Sequence, residues 1–168
     1  MAFDTLFSPF SIGSLNLENR LVMPPMATNY ASPEGYVTER QIDYYVERAR
    51  GGVGYLTVEH TGILQQGKAS PKMLLISSTE HASHMNRLVE AVHAAGGKIV
   101  IQINHAGRQT FSAVTGSPIV GPSPIPAMPA METPHARSAV EIEALVNACT
   151  AAAERVKQTG AEGGGVRM

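Results

Sequence analysis

Three apolar segments, each followed by a helix-forming stretch that glycine ends, constrain this chain more than anything else in its sequence. The segments lie at residues 21–23 (LVM), 54–60 (GYLTVEH) and 98–104 (KIVIQIN). The last is nearly continuous in apolar residues, a pattern that suits a parallel strand covered on both faces. Thr38-Glu39-Arg40-Gln41 has the spacing of a capping box and opens a helix over about residues 39–50. Gly51-Gly52 stops it, since glycine tolerates the positive φ that follows a helix. Ser77-Ser78-Thr79-Glu80 opens a second helix, in which Met85, Leu88, Val89 and Val92 recur at helical spacing before Gly96-Gly97. Ser138-Ala139-Val140-Glu141 is a third Ser-x-x-Glu start. Ile142, Leu145, Val146, Cys149, Ala152, Ala153 and Val156 then give one apolar face to a helix that ends at Gly160. A fourth strand is due next.

Strand and helix in alternation are the grammar of a parallel α/β fold. Right-handed crossovers place such strands side by side with the helices outside. Two closures fit: an open doubly wound sheet or a (β/α)₈ barrel of the TIM type. A nucleotide-binding open sheet expects a G-x-G-x-x-G turn after its first strand, and here that turn reads Pro24-Pro25-Met26-Ala27-Thr28. The barrel is therefore favoured, with functional residues at the C-terminal ends of its strands. Three complete strand–helix units and the start of a fourth amount to about the first half of such a barrel. Ahead of them, residues 7–20 alternate apolar and polar around Gly13, which predicts a small hairpin acting as a lid or plug. Residues 62–76, broken by Gly67 and Pro71, read as a long loop on the ligand side. Six of the eleven prolines fall between Pro118 and Pro134, which argues against regular structure there.

Composition bounds the partners. With 168 residues, 43% hydrophobic and 16% charged, the chain can bury the core of one domain. A net charge of -1 without a basic run leaves no electrostatic footprint for nucleic acid or an anionic membrane. No apolar run reaches the ~18 residues of a membrane span, and the N-terminus lacks the pattern of a secretory signal, so the cytoplasm is expected. Cys149, the single cysteine, reads as a small residue packed on a helix.

The strand ends carry the candidate chemistry. Two consecutive prolines remove backbone donors, so the amides of Met26 and Ala27 are free to face a ligand carbonyl or ring nitrogen; the plain alternative is a stiff turn. His60 follows the second strand, where a structural role competes with a functional one. Gln102 interrupts the apolar run of the third strand, and its amide can donate and accept at once, as the imide edge of a heterocycle requires. A glutamine bonded to neighbouring backbone reads equally well. Arg108 is a phosphate or carboxylate partner or a loop anchor. The sequence holds no metal-ligand cluster, nucleophile elbow or Walker loop.

Taken together, NRLVMPPMAT, GGVGYLTVEHTG and IVIQINHAGR, in this order and at these separations, resemble the N-terminal half of the Old Yellow Enzyme family of flavin oxidoreductases. The resemblance spans residues 5–162 and is nearest to the 2,4-dienoyl-CoA reductase and 2-enoate reductase branch. It implies a (β/α)₈ barrel that holds FMN at its C-terminal face, takes hydride from NADH or NADPH, and passes it to an activated C=C bond of a small enoate, enone or dienoyl substrate. It places Pro24, Pro25, Met26 and Ala27 along the flavin ring and Gln102 at the pyrimidine edge. Ala27 stands where many relatives have a flavin-tuning Thr or Cys. His60 stands where relatives often have a small residue that touches the ring through its backbone.

The resemblance weakens at the end of the chain. Family members carry a substrate-anchoring His or Asn pair in a G-x-D-G-V-E-I-H-like segment; Gly160-Ala161-Glu162-Gly163 begins such a segment and residues 164–168 leave it. Three glycines and an arginine make a poor buried strand. The implied proton donor and phosphate-binding loops would fall after Met168, so no catalytic residue is expected within the chain. A half barrel also leaves two open sheet edges, from which self-association is expected. The competing expectation is a catalytically silent fragment without cofactor, acting if at all as an interaction module.

Overall fold

A computed structural model describes residues 3–128 and 130–167. Strands β1 (Phe10–Ile12) and β2 (Leu15–Leu17) pair antiparallel around Gly13, whose φ of +58° makes the tight reversal. This is the expected hairpin. It is tied to the barrel end by Leu17, which is buried, and by Lys98, whose Nζ donates to the Asn16 carbonyl.

The main sheet follows in chain order. Strand β3 (Val22–Met23) leads to helix α1 (Glu39–Arg50), β4 (Tyr55–Gly62) to α2 (Thr79–Ala94), and β5 (Ile99–Asn104) to α3 (Ser112–Thr115) and the short strands β6 (Val120–Gly121) and β7 (His135–Ala136). Helix α4 (Ala139–Gln158) and β8 (Gly163–Arg167) complete the chain. The four-stranded sheet has the order β3-β4-β5-β8, and every pairing is parallel. Leu56, Val58, Ile99, Ile101 and Ile103 on the strands meet Tyr45, Met85, Leu88, Val92 and Val156 on the helices to form the core. Each fully buried Leu or Ile there contributes roughly 1.5–3 kcal/mol by leaving water. The structure is thus half of a parallel α/β barrel, as the alternation of elements predicts.

Three local expectations are corrected and one is met. Thr38 precedes α1 without capping it, because its hydroxyl donates to the Tyr30 carbonyl at 2.7 Å and the Gln41 amide is drawn to Glu59. Ser78, rather than Ser77, caps α2 by accepting from the His81 N–H, so the Ser77/Glu80 pair is not the box. Only α4 has the complete device: Ser138 Oγ accepts from the Glu141 N–H while the Glu141 carboxylate accepts from the Ser138 N–H at 2.7 Å. The proline-rich stretch is not wholly irregular, since the proline-free residues Val120 and Gly121 pair in parallel with β7.

The glycine-rich end also forms the fourth strand. Backbone pairing needs no side chains, and Gly163–Arg167 aligns with Val100–Asn104 in register. What glycine withholds is cover: Val166 is 63% exposed, and on α4 Ile142 and Val146 stay exposed although they belong to the expected apolar face, while Val140 in the first turn is exposed outside it. Along the apolar face of α4, only Ala152 and Val156 are buried.

Candidate functional site

The C-terminal ends of β3, β4 and β5 lie side by side, and each carries residues singled out by the sequence. After Met23 the chain leaves the sheet through Pro24 and Pro25 into an open turn in which Met26 and Ala27 are exposed. Neither the Met26 nor the Ala27 N–H meets an acceptor among the described residues. Turns of this kind wander unless something pins them. Here the pin is Glu59, only 1% exposed. Its carboxylate accepts from the Thr28 N–H at 2.6 Å, the Thr28 hydroxyl at 2.5 Å and the Gln41 side chain of α1 at 2.6 Å. Charge-assisted bonds are the strong ones, so the turn is fixed to the helix layer through a single carboxylate. The Glu59 N–H is bonded to the Tyr45 hydroxyl at 2.8 Å; burial, with the Glu59 charge beside it, pushes that phenol far above its ordinary range.

A bulge makes room for this arrangement. Thr57 and Val58 pair with Val100 and Ile101, and Thr61 pairs with Ile103, so Glu59 and His60 together oppose the one residue Gln102. A bulge breaks the two-residue alternation and re-aims the side chains it contains. His60 is half-buried, and desolvation pushes its pKa down, with the Arg167 charge adding to that and Glu59 opposing it. It therefore stands beside Gln102 as a neutral imidazole at neutral pH. Gln102 itself is half-buried, and its Oε1 is shut off from water with no partner. On its other side β8 places Gly165, where an added Cβ would meet nothing within 4 Å.

The structure thus brings Pro24, Pro25, Met26, Ala27, His60 and Gln102 to one sheet end. Arg108 resolves as a loop anchor: its Nη1 donates to the Ile125 carbonyl at 2.8 Å. The Thr28–Glu59–Gln41 pin was not anticipated; its signal was the one acid within the strand YLTVEHTG. Among the described residues no group of three or more His, Cys, Asp or Glu side chains could hold a metal ion.

At its strand ends this parallel half barrel presents an exposed proline-led turn beside the buried, unpartnered Gln102 Oε1. Residues 5–167 match the model of the NADH:flavin oxidoreductase / NADH oxidase family, and the chain belongs to that family. It is 44% identical over 157 residues to an NADH oxidase of Thermoanaerobacter brockii, covering 92% of this chain and 24% of the relative. An NADPH dehydrogenase of Clostridium acetobutylicum is 37% identical over 155 residues, covering 92% of this chain and 45% of the relative. The fold superposes on morphinone reductase with a TM-score of 0.90 at 29% identity, over 99% of this chain and 49% of that one. The chain therefore spans half or less of the length of these relatives.

Proposed function

We propose that this chain, as the N-terminal half of an FMN-binding barrel, forms the ring-facing part of a flavin site in an NAD(P)H-dependent oxidoreductase. The observation that carries the proposal is the Gln102 Oε1 atom, buried without a partner at the end of β5. An acceptor left so costs about 1–3 kcal/mol, which an imide N–H of the flavin would offset. Gln102 would hold the pyrimidine edge; Pro24, Pro25, Met26 and Ala27 would lie along the ring; the Met26 and Ala27 amides would donate to its heteroatoms. The chemistry that FMN supplies when bound is hydride transfer between NADH or NADPH and an activated C=C bond of a small enoate or enone. Ala27 offers no hydroxyl or thiol to tune it, and neutral His60 brings bulk without charge. Glu59 acts through Thr28, as a positioning residue.

The test is to purify the chain, add FMN, and follow retained flavin and NAD(P)H oxidation. Saturable flavin retention that Gln102→Leu weakens is the expected result, and flavin passing through unretained would sink the proposal. A second reading rests on a different observation. The outer edge of β8 pairs with no described strand and Val166 beside it is exposed, which favours a cofactor-free module that associates through that edge. Its signature is concentration-dependent size without any flavin binding.

A further inference from the structure

Beyond the flavin platform, at the loop that follows β5, lies a separate pocket of about 500 Å3. None of Pro24, Pro25, Met26, Ala27, His60 or Gln102 lines it. Its polar wall is His105, Arg108, Gln109 and Arg137, its apolar wall includes Val120, Ile142 and Leu145, and no Asp or Glu lines it.

Hydrogen bonding on the polar wall does not balance. The Gly107 N–H donates to His105 Nδ1 at 3.0 Å, while Arg137 Nη2 approaches His105 Nε2 at 3.5 Å. A neutral imidazole offers one acceptor nitrogen and one N–H, so two donors face a ring that can satisfy only one of them. Protonation would leave none satisfied, and burial together with the Arg137 charge holds His105 neutral, its pKa pushed down to about 4. Arg137 Nη2 also donates to Gln66 Oε1 at 2.8 Å and Nη1 to the Glu141 carbonyl at 3.2 Å, yet Nε is buried with no partner. Arg108 spends its one bond on a backbone carbonyl. Neither guanidinium is within salt-bridge distance of a carboxylate among the described residues.

We propose that this pocket is a second binding site, separate from the flavin platform, for a small organic carboxylate with an apolar body. The carboxylate supplies the acceptors that Arg137 and the His105 region lack, because a charge-assisted bond to a guanidinium is worth more than one to a neutral group. The apolar wall of Val120, Ile142 and Leu145 takes the rest of the molecule. A volume of this size lies in the usual range for small-ligand pockets. Inorganic phosphate shares the anionic chemistry but leaves that wall wet.

The proposal does not depend on FMN. Side-chain NMR of the whole chain, titrated with sodium hexanoate and separately with inorganic phosphate, tests it directly. Hexanoate should shift the His105 ring and Arg137 guanidinium signals while leaving His60 in place. Arg137→Gln should weaken hexanoate about tenfold, the loss expected for one charged hydrogen bond. Arg137→Lys should retain part of the binding, and Arg108→Gln provides a second variant should Arg137→Gln fold poorly. Unmoved His105 signals, equal shifts from phosphate at equal concentration, or hexanoate binding unchanged in the variants would each overturn it.

Discussion

Gln102 and Glu59 are both polar residues in apolar strands, and the structure uses them in opposite ways. Glu59 is saturated, with three donors on its carboxylate, whereas the Gln102 acceptor is left bare. Their variants should diverge accordingly. Gln102→Leu removes an unsatisfied buried atom, so the thermal midpoint of the flavin-free protein should hold or rise while flavin affinity falls about tenfold. A loss of both would show that Gln102 is structural. Glu59→Ala strips the Thr28 and Gln41 donors at once and should cost on the order of 3 kcal/mol, read from the urea midpoint. His105 adds a pH dependence. Its folded pKa of about 4 lies below the ordinary value of 6.5, so the unfolded chain binds the proton more tightly between those limits. Stability contributed by this residue is complete above about pH 6.5 and declines as pH falls toward 4. Urea unfolding across that range should show the decline, and His105→Phe should flatten it. Sequence pointed to Gln102 as an odd residue in KIVIQIN, but the surplus of donors around His105 was hidden, because Arg137 joins the local Gly107 N–H at that ring only through the fold.

Elements were legible where the pattern is local. Helix periodicity and glycine stops place α1, α2 and α4 within a residue or two, since both signals act over a single turn. Caps were less legible, because a Thr or Ser beside a helix can serve the helix or a tertiary partner. Thr38 reaches the Tyr30 carbonyl and Gln41 reaches Glu59, so the same letters that close a box in α4 build the platform in α1. Substitution separates the two uses. Ser138→Ala should cost about 1 kcal/mol through lost capping of α4, with flavin retention untouched. Thr38→Ala should instead loosen the 28–30 turn and lower flavin affinity, since no cap is lost. Equal effects of the two on flavin binding would contradict this division. The bulge at Glu59 and His60 had no sequence mark at all; it follows from the pairing of β4 with β5, a relation between segments some forty positions apart.

At the scale of the whole sheet, both edges are open among the described residues, at the two-residue β3 and at β8. All strands point one way, so a two-fold axis along the strands would set β8 of one copy beside β3 of another, parallel, and restore an eight-stranded count. Edge strands with free backbone groups seek such pairing. The exposed Val140, Ile142 and Val146 of α4 and Val166 of β8 would lose water in the same step, adding apolar drive. Sedimentation across a concentration series should therefore show a monomer–dimer equilibrium. A charge placed on an edge strand opposes pairing, so Val166→Lys should shift that equilibrium toward monomer, by roughly tenfold or more in dissociation constant if the residue is desolvated in the dimer. Val140→Lys, on α4 rather than on an edge strand, should have the smaller effect. A cooperative monomer at every concentration would mean that the edges do not pair with each other, and equal responses of the two variants would place the contact on α4 rather than on the sheet.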